Sequence, residues 1–144
     1  MEQKQFRKVG HEYIRYLADL PSEAISKIQP LLPYSATLTI PSIYLRRLED
    51  THIADEHADD YADYLVLLPD VISHPTHVAL YPKVKLGVNI YAVVDRGSKM
   101  LVVGLQLSSI GDPAFRNTVE TMFSWQRWKY EGELKHGTLL EVDY

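Results

Sequence analysis

The sequence predicts an α+β fold, with N-terminal helices packed on a roughly four-stranded antiparallel sheet, and three observations lead there. In the first half, apolar side chains recur at three- and four-residue steps. After His74-Pro75 the pattern changes to strand-length runs dense in Val, Ile, Tyr and Thr. Turn residues separate those runs closely, and strands joined by short turns are antiparallel. A chain of 144 residues with 46% hydrophobic content can build one proper core and is short for two. We therefore expect a single domain over 1–144, comprising a helical N-terminal extension at 1–34, a core at 37–125 and a C-terminal segment at 126–144.

Residues 3 to 19 place Phe6, Val9, Tyr13, Tyr16 and Leu17 at helical steps, which predicts an amphipathic helix weakened by Gly10. Pro21 and Ser22 punctuate the chain, and Ser22 with Glu23 starts a second short helix carrying Ala24, Ile25, Ile28 and Leu31. Thr37-Leu38-Thr39-Ile40 alternates polar and apolar residues and reads as a short strand. Ser42 then caps a helix running through Ile43, Leu45, Leu48 and Ile53 toward His57. A further helix spans 61 to 73 through Tyr64, Leu65, Leu68, Val71 and Ile72, interrupted by Pro69. Four strands follow, at 77–81, 87–94, 100–107 and 118–125, with Asp95-Arg96-Gly97-Ser98 as a hairpin connection between the middle two. In the last of them strict alternation sets Val119, Thr121 and Phe123 on one face and Glu120, Met122 and Ser124 on the other.

Composition removes several functions. The absence of Cys excludes disulfides, thiolate metal sites and cysteine nucleophiles. No apolar run approaches the ~20 residues that span a bilayer, and the start MEQKQFRK lacks a signal-peptide hydrophobic region. We expect no membrane association and a cytoplasmic location. A net charge of -4 argues against a protein that coats nucleic acid generally, yet leaves room for a local basic cleft.

The chemistry-bearing stretch is Thr51-His52-Ile53-Ala54-Asp55-Glu56-His57, because imidazole gives and takes protons near neutrality. His52 and His57 are five apart, so on a continuous helix they point about 140° away from each other. They converge only where the helix ends or bends; the plain alternative is two histidines on a solvated surface. His52, Asp55, Glu56, His57 and Asp59 have metal-ligand atom types but no recognised ligand spacing, so no metal and no cofactor are expected. Between residues 49 and 70 stand eight carboxylates and no Lys or Arg, a block that reads as a solvated face or a partner-binding surface. His11 reads as a surface residue.

A strand ending Ile40-Pro41-Ser42, His52-Ile53 with His57, the run Leu68-Pro69-Asp70-Val71-Ile72-Ser73-His74-Pro75, a strand reaching Tyr81-Pro82-Lys83, two hydrophobic strands, and Thr121-Met122-Phe123 together form a distinctive order. That order resembles the phage nuclease domains of the barnase, EndoU, colicin and RelE-like fold, over residues 37 to 125. The resemblance implies a metal-independent ribonuclease fold of mobile-element and toxin proteins, with helices on an antiparallel sheet whose face holds the site. Carried over residue by residue, it implies His57, Lys83 and Thr121 as catalytic, with His52, Lys85 and Ser124 as secondary candidates. RNA, single-stranded, is the implied substrate, and a cognate protein inhibitor is a further candidate partner.

The residue types suit that chemistry. Attack of a ribose 2′-OH on phosphorus needs a base, an acid for the 5′-oxygen, and cations or donors for the charged phosphorane. His57 supplies the base or acid, Lys83 or Lys85 the cation, and Thr121 or Ser124 a donor. Arg127, Trp128, Lys129 and Tyr81 would bind substrate by stacking and backbone contacts, while Trp125 reads as core. Two other readings compete. One is a non-catalytic interaction protein of the same fold that binds a protein partner through the acidic block. The other is a small-molecule domain walled by some of the 10 Tyr.

Overall fold

Residues 7 to 19 fold as a hairpin and not as the expected helix: β1 (Arg7–Val9) and β2 (Glu12–Asp19) pair antiparallel, with Val9 opposite Glu12. Gly10 turns the chain at φ 62°, a conformation glycine adopts without steric cost. The helical spacing was misleading because β2 carries a register shift between Tyr16 and Ala18. The bulge moves the apolar phase by one residue, so that buried Ile14 and Leu17 stand three apart within a strand. The computed structural model describes residues 6–32, 41–56, 61–85, 88–97, 99–107, 117–126 and 138–144.

The second helix forms as α1 (Ser22–Ile28), continued by a 3₁₀ turn at Gln29–Leu31. Residues 37 to 40, expected as a strand, lie outside the described residues. The helix expected from Ser42 begins instead as β3 (Ser42–Arg46), and α2 (Arg47–Glu56) follows it directly. Ile43 and Leu45 are fully buried while Tyr44 and Arg46 alternate with them, the period-two signature of a strand that a longer helical window hides. α3 (Tyr61–Ser73) continues through Pro69. Then come β4 (His77–Lys85), β5 (Val88–Asp95), β6 (Lys99–Gln106), β7 (Asn117–Gln126) and β8 (Thr138–Glu141).

The sheet is eight-stranded in the order β1-β2-β3-β7-β6-β5-β4-β8, and it is mixed, because β3 runs parallel to β7 with Tyr44 beside Thr118. This corrects the expected four-stranded antiparallel sheet under N-terminal helices. The four strands of the second half do pair antiparallel with their neighbours, Val93 opposite Val102 and Val103 opposite Met122. They form only the middle of a sheet whose outer strands come from both ends of the chain. Hairpin reasoning sees neighbours in sequence, and the β3–β7 pairing joins segments far apart.

The helices pack on one face: α1 on β4, α3 on β2, β5 and β6, and α2 against β2, β3 and β7. Ile43, Leu45, Ile72, Ile90, Leu105 and Met122 anchor that core. The other face carries a smaller cluster of Ala79, Tyr91, Val93, Met100 and Val102 with Phe123. A second register shift, at Gly104/Leu105 opposite β7, revises the alternation expected there. Val119 and Met122 both face the helices, across from Leu105 and Val103, whereas Thr121 and Phe123 face the other way across from Gly104 and Val102. Glu120 is the extra residue of that bulge.

Between β5 and β6, Arg96 N–H donates to the Lys99 carbonyl at 3.0 Å and Gly97 N–H to Asp95 Oδ1 at 2.9 Å. Gly97 has φ 83° with open space where a Cβ would stand. The cost of Gly97→Ala is therefore the backbone conformation alone, about 1–2 kcal/mol. Urea unfolding should show the midpoint lowered with an unchanged slope.

Candidate active site around Arg46

Arg46 closes β3, the strand between β2 and β7, and the adjoining elements each bring it a carboxylate. Its Nη2 donates to Glu49 Oε1 at 2.8 Å and to Glu120 Oε1 at 3.1 Å, and its Nη1 to Glu12 Oε1 at 3.4 Å. Glu12 begins β2. Glu49 sits in the first turn of α2, where negative charge suits the helix N-terminus. Glu120 arrives through the parallel pairing of β3 with β7, from a position 74 residues away in sequence.

The group is dry enough for its charges to matter. Glu49 is 6% exposed, and both its Oε2 and the Arg46 Nε are buried without a hydrogen-bond partner. Burial pushes the Glu120 carboxyl above its ordinary value of 4.5; Arg46 opposes the shift, Glu49 reinforces it and His52 opposes it. Burial works against the Arg46 charge as well, but the charges of Glu49 and Glu120, with a smaller contribution from Glu12, hold its guanidinium above its ordinary value. Three carboxylates thus share one guanidinium, and burial favours the protonated form of Glu120.

Beside Arg46 opens a cavity of about 340 Å³ lined by His11, Glu12, Tyr13, Arg46, Arg47, Leu48 and Thr51. The Arg47 guanidinium lies 3.9 Å over the centroid of the Tyr13 ring, a cation–π contact. The Thr51 hydroxyl donates back to the Arg47 carbonyl at 3.0 Å.

Of the residues expected from sequence, His52 belongs to this neighbourhood, and Thr121 adjoins Glu120 along the chain. His52 is exposed on α2 and close enough to stabilise the Glu120 charge; Thr121 is half-buried and follows Glu120 directly. Ser124 is half-buried on β7 across from Leu101, facing the helices. Tyr81, Lys83 and Lys85 are carried by β4, which the strand order sets three strands from β7, about 14 Å at the usual ~4.8 Å spacing. His57, Arg127, Trp128 and Lys129 lie outside the described residues. The acidic block is not a uniform face: Glu49 and Asp50 are buried, Asp55, Glu56, Asp63 and Asp70 are exposed, and Asp59 and Asp60 lie outside the described residues.

Sequence reasoning missed Arg46, Glu49 and Glu120. One signal was available: Glu120 is the lone charge in the run Thr118 to Trp125, and a charge inside a central strand requires a partner. Among the described residues no group of three or more His, Asp or Glu is arranged to hold a metal ion. Comparison with known protein families, curated proteins and solved structures finds no match to this chain.

Proposed function

We propose that this chain is a metal-independent ribonuclease-like domain of the mobile-element or toxin kind, cleaving RNA by attack of a ribose 2′-OH on the adjacent phosphorus. One observation carries the reading: a half-buried carboxyl of raised pKa, Glu120, adjoins both a guanidinium, Arg46, and an exposed imidazole, His52. Base, cation and acid are the three groups the reaction requires.

In this mechanism ionised Glu120 takes the 2′-OH proton as the O2′–P bond forms. His52 gives its proton to the 5′-oxygen as the P–O5′ bond breaks, leaving a 2′,3′-cyclic phosphate and a 5′-hydroxyl. Arg46 neutralises the phosphorane; its long 3.4 Å contact to Glu12 is the one that a phosphate oxygen displaces. The Thr121 hydroxyl donates to a non-bridging oxygen. The raised pKa of Glu120 brings its basicity nearer to that of the group it must deprotonate, which strengthens it as a base.

The test is incubation of the full chain with single-stranded RNA in EDTA, followed by identification of the product termini. Cleavage to cyclic phosphate and 5′-hydroxyl ends is expected, and His52→Ala should slow it by roughly 10²- to 10⁴-fold. No cleavage by the wild-type chain overturns the reading and leaves the interaction-protein alternative in front.

A further inference from the structure

We infer that the cavity beside Arg46 is a nucleotide subsite that takes one unpaired base of the RNA strand, stacked on the free face of the Arg47 guanidinium. The inference rests on the RNA-cleavage reading for the identity of its ligand, and on three observations of its own. The cavity, at about 340 Å³, stands at the small end of the ~300–1,000 Å³ usual for ligand sites, which suits a single nucleotide. Its lining sets Arg46, Arg47 and His11 against Glu12; Arg46 is already offset by Glu12, Glu49 and Glu120, so the cation this hollow offers a ligand is the exposed Arg47. An exposed guanidinium lining a hollow suits an anionic ligand.

The third observation supplies the specificity. Arg47 is exposed, and one face of its guanidinium already lies on Tyr13 at 3.9 Å. The ring holds the guanidinium in a defined plane, so little side-chain freedom remains to be lost when a second flat group arrives on the opposite face. Bases of single-stranded RNA stack on such guanidinium planes, whereas the bases of a duplex are already stacked on one another. Because Arg46 borders both the cavity and Glu120, the stacked nucleotide neighbours the phosphate that reacts. The subsite thus selects unpaired RNA, and Glu120 and Arg46 then act on the neighbouring 2′-OH and phosphate.

The test measures affinity by fluorescence anisotropy for a short, labelled, single-stranded 2′-O-methyl RNA, which cannot be cleaved, and for the same strand made abasic. Stacking of one base is worth roughly five- to hundredfold in affinity. Arg47→Ala should weaken binding of the intact strand by about tenfold or more. Arg47→Lys, which keeps the charge and lacks the plane, should lose nearly as much. The abasic strand should bind wild type and Arg47→Lys alike. Wild-type affinity in Arg47→Ala, full rescue by Arg47→Lys, an equal loss on the abasic strand, or no binding of either strand by the wild type would each overturn the inference. Thermal melts establish that the variants fold, and Arg47→Lys alone decides the matter if Arg47→Ala does not. Binding that depends on Arg47 without any cleavage of ordinary RNA would defeat the nuclease reading and leave the subsite standing; cleavage with Arg47-independent affinity would do the reverse.

Discussion

Glu120→Gln is expected to lower RNA cleavage by roughly 10²- to 10⁴-fold while the domain stays folded. The substitution preserves shape and an acceptor oxygen for Arg46 Nη2, whose contact with Glu120 is 3.1 Å, but removes the ability to accept a proton. Because burial raises the Glu120 pKa, the wild-type rate should fall on an acidic limb that lies above 4.5, and that limb should vanish from the residual rate of the variant. Stability follows with a definite sign. A carboxyl whose pKa is higher in the fold than in the unfolded chain favours folding below the unfolded pKa, and that contribution is lost as pH rises through the raised value. Glutamine cannot ionise, so the variant should lose less stability than wild type over that interval. Urea unfolding across a pH series measures this, and cleavage by the variant at the wild-type rate would move the base elsewhere.

Arg46→Met should cost about 3–5 kcal/mol at neutral pH, the usual penalty for leaving a buried charge without its partner. Arg46 bridges Glu12, Glu49 and Glu120. Glu12 is 42% exposed, so the loss falls mainly on Glu49 and Glu120, whose side chains are 8% and 18% exposed. Without the guanidinium, burial and the neighbouring Glu49 charge raise the Glu120 pKa further. The deficit should therefore be greatest at neutral pH and shrink as pH falls and Glu120 takes up a proton. Adding Glu49→Gln to Arg46→Met should restore part of the loss, and a double-mutant cycle gives the coupling. A deficit under about 1 kcal/mol, or one that grows in acid, would show that the network is better hydrated than its burial implies.

Local chemistry by itself determined the middle of this protein. Runs of β-branched residues bounded by turn residues mark β4 to β7, Asp95 and Gly97 mark a hairpin, and apolar spacing marks α1 and α3, because each signal acts within one element. His52 could be singled out from sequence as an imidazole among carboxylates, but its place beside Glu120 could not. Tertiary structure decided the rest. A bulge in β2 set Ile14 and Leu17 three apart, which imitates a helix when read along the chain. Another, where β7 meets β6, turned Thr121 away from Val119. Above all, the parallel pairing of β3 with β7 brings Arg46 to Glu120 across 74 residues. No periodicity records such a contact, since it exists only once two distant strands bury their apolar faces in one sheet and leave the two charges side by side to satisfy each other.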